Sequence, residues 1–598
     1  KERARIYELP RSTWQDYDRK LISKGGGVYS RSAKSIPVSA EMKKRFDITE
    51  NKVTPAKLIN YLLKARVDLL WNGGIGTYVK GRFESDQDVG DKANDAIRVD
   101  GEEVRSRVVG EGGNLGLTQL GRIEFNLSGG VCFTDFIDNA GGVNCSDAEV
   151  NIKILLNQLV EQGKLSPKGR NDLCFQMTDA VAEIVLENNV RQAQAINLMQ
   201  HQSARRNLEY VRVLQALDDA GYLDRELEYL PGDDEIQERV TRNQALTAPE
   251  LSTLTSHVKG AIKERLAQMP LDDPYLMGEM YTAFPQPLVQ KYRHELGRHQ
   301  LRKEIIATQI ANNMINNMGM SFVHRIAETT GASTGDVALA YLCARDSFGM
   351  ESRLAEIRAL DEVVDPLVQK ELTMDVIRLV RRATRWFIRY RRESLDLSAD
   401  VPVFQKALVV LTRKWETIVC GDARTQWQNS RNRLIDSGVP ESLAEFVAAT
   451  HHLYSLLGIV EISSKTGEST RKVGNMLFNV SEQLHLSWFS KQMHDYEARS
   501  HWEALARESL QDDLNTQQVA ITLGIISEGS GKKGAAVDMV NRWMKKHGDL
   551  VQRWLDMQSE IRSAKTGDLS LYTVAIRELT DLSQSSSKRS MIASSEAD

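Results

Sequence analysis

The sequence predicts an α/β segment followed by an all-α one, and three observations carry that reading. Two apolar runs, Val108-Val109 and Val131 to Ile137, each end abruptly in a polar, glycine-rich stretch. The first is Gly110-Glu111-Gly112-Gly113-Asn114 and the second is Asn139-Ala140-Gly141-Gly142-Val143-Asn144. An open parallel sheet binds ligands at the carboxyl ends of its strands, where glycine lets backbone approach closely. The first 150 residues also hold most of the Gly-Gly pairs and β-branched runs. Beyond about residue 200, long Leu/Ala/Glu/Arg/Gln-rich stretches with few prolines predict helices.

In order along the chain, Thr54 to Leu63 predicts a helix, with Thr54 as cap and Pro55 at the favoured first position. Val67 to Trp71 reads as a buried strand ending at Asn72-Gly73-Gly74-Ile75-Gly76-Thr77. A second strand ends at Glu111 to Asn114, Thr118 to Phe125 is a short helix or turn, and a third strand ends at Asn139. Strand and crossover in alternation are what a doubly wound sheet produces. Helices are expected over Glu149 to Leu159 and Ala180 to Leu198. The predicted organisation is residues 1–200 as the nucleotide-type segment, 201–582 as the helical domain, and 583–598 as a tail without fixed structure. Breaks in the helical part are expected at Pro231-Gly232, Pro270, Pro285, Gly331, Pro402, Gly529-Ser530-Gly531 and Gly567. The chain begins at Lys1 without methionine and runs straight into polar, foldable sequence, which reads as a start inside a domain of a longer polypeptide.

Composition narrows the function classes. A chain of 598 residues exceeds what one core sustains. A net charge of −4 gives no reason for the whole chain to bind nucleic acid or a membrane, and no apolar run is long enough to span a bilayer. Five scattered cysteines lack paired spacing, which argues against disulfides or a zinc site and favours a reducing, cytoplasmic setting. No histidine occurs before His201, so a histidine base is excluded for any site built from the first segment alone.

Each candidate motif has a plain structural alternative. Asn72-Gly73-Gly74-Ile75-Gly76 lacks the last glycine of a dinucleotide fingerprint, since position 79 is Val, and can equally be a tight turn. Glu111-Gly112-Gly113-Asn114 is the stronger signal, because Asn114 can both donate and accept toward a carboxamide or ribose. Its alternative is an Asn-capped turn. Gly141-Gly142 with Ser146 suits a carboxylate, from backbone amides and a hydroxyl at the start of a helix near Asp147. Here the alternative is Ser146 as N-cap, completed by Glu149 as a capping box. Arg378, Arg381, Arg382, Arg385, Arg389 and Arg392 form a basic stripe, read as an ion-paired solvated face or a subunit contact.

The stretch from Glu111 to Glu149 resembles the glutamate dehydrogenases, whose late nucleotide-domain pattern is E-G-A-N, a helix, D-I-x-A-N-A-G-G-V-x-x-S and an acidic residue. Here it stands as Glu111-Gly112-Gly113-Asn114, Asp135 to Ser146 (DFIDNAGGVNCS) and Glu149. KLISKGGGVYSRSAKSIPVS, DLLWNGGIGTYVK and HQLRKEIIATQIANNMINNMGMSFVHRIAETTGAS resemble the very large NAD-specific bacterial branch. The resemblance implies a Rossmann-like nucleotide domain, NAD as cofactor, and oxidative deamination of L-glutamate to 2-oxoglutarate and ammonia in amino acid catabolism, by a homo-oligomer. It places Asn72, Gly73, Gly74, Glu111, Gly112, Gly113, Asn114 and Asn139 toward the cofactor, and Gly141, Gly142 and Ser146 toward the substrate. Two departures stand out: Leu115-Gly116-Leu117-Thr118-Gln119 replaces G-P-T-T-P after the asparagine, and Asp147-Ala148 replaces an aromatic pair. The catalytic acid and base are expected upstream of Lys1, no metal ligands are expected, and the helical domain is read as serving assembly or regulation. The rival reading is a dehydrogenase-derived scaffold module without activity; a hydroxy acid dehydrogenase would want a histidine near the loops.

Overall fold

The computed structural model describes residues 1–498, 500–529, 534–563 and 568–595, with side chains as far as 585. The expected breaks at Ser530-Gly531 and Gly567 lie outside the described residues. The chain forms two compact units, one of Lys1–Asp272 with Leu276–Met320, the other of Asp273–Tyr275 with Ser321–Asp598.

The first unit carries three two-stranded sheets among the described residues. β1 (Ile36–Pro37) and β2 (Lys52–Val53) pair antiparallel. Helix α1 (Pro55–Leu63) follows as its local signals require: Thr54 accepts a hydrogen bond from the Lys57 N–H, and Pro55 occupies the first turn. β3 (Leu69–Asn72) pairs in parallel with β6 (Val108–Glu111), in a register that sets Asn72 opposite Glu111. β4 (Val79–Lys80) and β5 (Val99–Asp100) form the third pair, also parallel. Val79, Val99, Val109, Leu117 and Phe125 make one buried cluster beneath these strands. α2 (Gln119–Leu127), capped by Thr118, closes it.

Two expectations fail here. β3 is not buried on both sides: Leu69 is 55% and Trp71 60% exposed, so this parallel pair has a bare face. Parallel strands ordinarily carry cover on both faces. Nor does a third strand run from Val131 to Ile137. Only Val131 touches the sheet, as an isolated parallel bridge to Val108, and the chain then turns into α3 (Asp135–Asp138). The reason is long-range. The Asp135 carboxylate accepts the Leu115 N–H at 2.8 Å and lies 3.3 Å from the Arg122 guanidinium, which fixes it at a helix start where local pattern shows only an apolar run.

Asn139 links α3 directly to α4 (Ala140–Glu161). α5 (Thr178–Asp219) is continuous through the boundary drawn at residue 200. α6 (Ala248–Ala267) and α7 (Arg302–Met318) complete the part of this unit that concerns function. Helix breaks fall at Pro231-Gly232, Pro270 and Pro285 as expected.

The second unit is helical throughout its described residues. Within it, Gly331 ends a helix at φ +63, but Pro402 lies inside the helix Leu397–Arg413 rather than breaking it. α8 (Pro366–Arg391) is capped by Asp365 and bears the arginine stripe. Arg385, instead of facing solvent, is buried and pairs with Glu508 and Asp512 of α9 (His501–Glu528). α10 (Leu569–Ser595) extends over most of the segment where composition predicts no fixed structure. No single described helix is long and apolar enough to cross a membrane, although the bent pair Glu441–Leu453 and Leu456–Thr466 reaches that length together.

Candidate active site at the ends of the parallel strands

β3 and β6 end side by side, and the chain beyond them is tied into one polar knot. The Asn72 carbonyl accepts the N–H groups of Gly112 and Gly113 at 2.8 and 3.2 Å. Side chains there have no room: a Cβ on Gly112 would fall 2.4 Å from the Trp71 ring, and one on Gly113 would fall 2.6 Å from the Gly74 carbonyl oxygen. Glycine at these two positions is therefore a packing requirement. The Asn72 side-chain oxygen accepts the Gly74 N–H at 3.3 Å. Its Nδ2 is buried without a hydrogen-bond partner. A buried amide donor left open costs about 1–3 kcal/mol, so an orphan of this kind marks a place where an acceptor belongs.

Glu111 is fully buried and its carboxylate is committed. It takes two hydrogen bonds from Arg122, at 2.7 and 3.0 Å, and one from the Leu117 N–H at 3.0 Å. It thus locks β6 to α2 and has little left to offer a ligand. The Glu111 N–H in turn donates to Asp138 Oδ2 at 2.9 Å. Burial pushes the Asp138 carboxyl up to about 6, with the neighbouring Glu111 charge acting in the same direction.

The two asparagines expected to share the site do meet. Asn139 Nδ2 donates to Asn114 Oδ1 at 2.8 Å, across 25 residues of sequence. That leaves Asn114 Nδ2 as a donor and Asn139 Oδ1 as an acceptor, complementary to a carboxamide. Between them and the strands, Leu115 sits at φ +55, a left-handed backbone that side chains rarely adopt. The Asp135 carboxylate and the Thr77 hydroxyl, bonded to the Leu115 N–H and carbonyl, hold it there.

The glycines beyond Asn139 depart from expectation. Gly141, Gly142 and Ser146 are not a loop preceding a helix at Asp147; they lie inside α4, which starts at Ala140. The Gly142 N–H is spent on the Asn139 carbonyl at 3.1 Å. Ser146 caps nothing: its hydroxyl reaches only the Gly142 carbonyl at 3.5 Å, and Glu149 pairs with Lys153 rather than closing a capping box. The helix begins early because α3 feeds straight into it through Asn139. The consequence is useful. Asn139, Gly142 and Ser146, spaced by three and four, share one helix face, with Ser146 roughly 10 Å along the axis from Asn139.

Asp138, Asp135 and Arg122 were not singled out from sequence, although two acids spaced by three, each followed by an apolar residue or amide, are a readable helix-start signal. Arg122 gave none, since its partner lies on another element.

Comparison with known proteins decides the family. The domain described as glutamate dehydrogenase, C-terminal, matches residues 243–581, more than half of the chain. The chain belongs to the glutamate dehydrogenases. Residues 1–199 match the catalytic domain of bacterial NAD-glutamate dehydrogenase. Three relatives named NAD-specific glutamate dehydrogenase are similar over 98% of this chain: those of Pseudomonas aeruginosa at 50% identity, Halomonas elongata at 45% and Mycobacterium tuberculosis at 35%. The chain spans 36% of the length of each of these family members.

Proposed function

We propose that this chain provides part of the active site of an NAD-dependent glutamate dehydrogenase, which oxidatively deaminates L-glutamate to 2-oxoglutarate and ammonia. The observation that carries the reading is the Asn114–Asn139 hydrogen bond at the ends of β3 and β6, beside the unpartnered Asn72 Nδ2. These groups fit NAD. Asn114 and Asn139 would hold the nicotinamide carboxamide and ribose, and Asn72 would supply the missing partner for a ligand oxygen. Gly73, Gly74, Gly112 and Gly113 would keep the floor free of side chains. NAD, when bound, accepts the hydride from the substrate α-carbon.

Ser146, further along the same face of α4, would donate its hydroxyl to a glutamate carboxylate. The Gly142 carbonyl that it now touches at 3.5 Å is a weak competitor. Gly141 and Gly142 would leave that face open rather than bind through their amides. Glu111 would act as a positioning residue through Arg122. The acid and base of the deamination are assigned to no residue of this chain. The bare Leu69 and Trp71 face supports reading β3–β6 as part of a Rossmann-like doubly wound sheet whose cover on that side is not among the described residues.

Glutamate-dependent NAD reduction by the intact enzyme tests the reading. A charge-assisted hydrogen bond is worth about 1.5–3 kcal/mol, so Ser146→Ala raises the glutamate KM about tenfold or more with the NAD KM unchanged. Asn139→Ala does the reverse. A Ser146→Ala enzyme with the parental glutamate KM would remove the substrate assignment.

A further inference from the structure

On the other side of α3, lined by residues other than these asparagines, the first unit holds a second cavity. It is a cavity of about 230 Å³ between α3, α5, α6 and α7. Ile137 and Ile196 form one wall, Ser252 and Thr255 the floor, and Asn312 and Asn316 the side contributed by α7. Lys259 and Lys263 of α6 both enter it, four residues apart and so on one helix face. None of its lining residues is an aspartate or glutamate. A wider hollow shares Ser256, Gly260, Lys263 and Thr308 with it and opens past His257, Glu264 and Glu304.

The charges in the cavity are not balanced. Lys259 Nζ donates to Gln192 Oε1 at 3.2 Å and forms no ion pair among the described residues, and neither does Lys263. Burial pushes the Lys259 ammonium down to about 7, with Arg191 of α5 repelling it in the same direction. Asn316 Oδ1 is buried there without a partner, and the same amide, turned about its last bond, presents an N–H instead. Buried cations are normally paired, and a low-dielectric space lined by donors and lacking acids stabilises an anion. A cavity of about 230 Å³ suits a compact ligand.

We infer that this cavity binds a compact oxyanion, a small dicarboxylate or inorganic phosphate, held between Lys259 and Lys263 with the α7 asparagine amides completing its hydrogen bonds. None of its residues belongs to the Asn72, Asn114, Asn139 and Ser146 set proposed for glutamate and NAD. Lys259 takes up a proton as the anion enters, because the paired charge is favoured over the lone one.

Isothermal titration calorimetry with succinate, and separately with inorganic phosphate, tests this at fixed ionic strength and about pH 8, in two buffers of different ionisation enthalpy. The expected result is saturable binding with net proton uptake, weakened about tenfold or more in Lys259→Met and in Lys263→Met. Lys263 is exposed, so its variant folds whatever Lys259 contributes to the core. Ser146→Ala leaves this binding unchanged, which separates its failure from failure of the substrate assignment. Binding of succinate alone identifies a carboxylate site and binding of phosphate alone a phosphate site. No binding of either anion, or binding in both lysine variants as tight as in the parent protein, overturns the inference.

Discussion

The arginine seam of the second unit and the α6 cavity of the first both gather positive charge, and they treat it in opposite ways. Between α8 and α9, Glu508 receives Arg385 and Arg325, with Arg381 at 3.7 Å, while Asp512 takes Arg385 at 3.0 Å. Those guanidiniums hold the Glu508 carboxyl far below the usual carboxylate range despite its burial. In the cavity, Lys259 and Lys263 share space with neutral amides, hydroxyls and apolar side chains, and no carboxylate is among the lining residues. The seam, where Arg385 and Arg325 meet carboxylates, specifies packing, and the cavity without acids is where a ligand's charge fits. That contrast separates structure from function better than charge alone, since both regions have charge.

The largest test of the comparison is Glu508→Gln. It keeps the shape but strips the anion from a cluster of buried guanidiniums, so it destabilises the second unit by about 3–5 kcal/mol in urea unfolding. A loss under about 1 kcal/mol would mean that solvent already compensates those arginines.

Asp138 gives a smaller, pH-dependent effect. Its folded carboxyl is raised to about 6, above its ordinary value. The folded state therefore keeps this proton to higher pH than the unfolded state, and stability is lost as pH rises from about 4 through about 6. Asp138→Asn, which preserves an acceptor for the Glu111 N–H, stabilises the protein by on the order of 1–3 kcal/mol above pH 6. The gain shrinks to nothing below about pH 4. Thermal melts across that range check it, and a gain independent of pH would refute the assignment.

Leu115 is next. Its side chain is 63% exposed, so replacing it buries little less surface, while glycine relieves the left-handed backbone. Leu115→Gly is expected to raise stability by about 0.5–1 kcal/mol, read from the denaturation midpoint. A fall instead would show that the leucine side chain packs on something important. The smallest effect belongs to Lys153→Ala, which removes an exposed helical pair with Glu149. It costs no more than about 0.5 kcal/mol, and a larger loss would mean that exposed pairs cannot be set aside when satisfied and unsatisfied charges are compared.

What the sequence determined by itself was everything carried by neighbours within one turn. Thr54 and Pro55 start α1, and Gly331 closes its helix, because each signal and its target lie within a few residues. The Asn114 and Asn139 candidates were legible too, as polar residues where apolar runs stop. Only the tertiary structure decided the rest. Ser146 reads as a cap until α3 is seen to feed α4 through Asn139. Val131 to Ile137 reads as a strand until Arg122 and Leu115 are seen to fix Asp135 at a helix start. Glu111 reads as a ligand-facing acid until Arg122 closes on it, and the arginine stripe reads as a surface until α9 arrives. In each case the deciding partner lies on another element, and a charge's meaning depends on what has been brought opposite it in a low-dielectric interior.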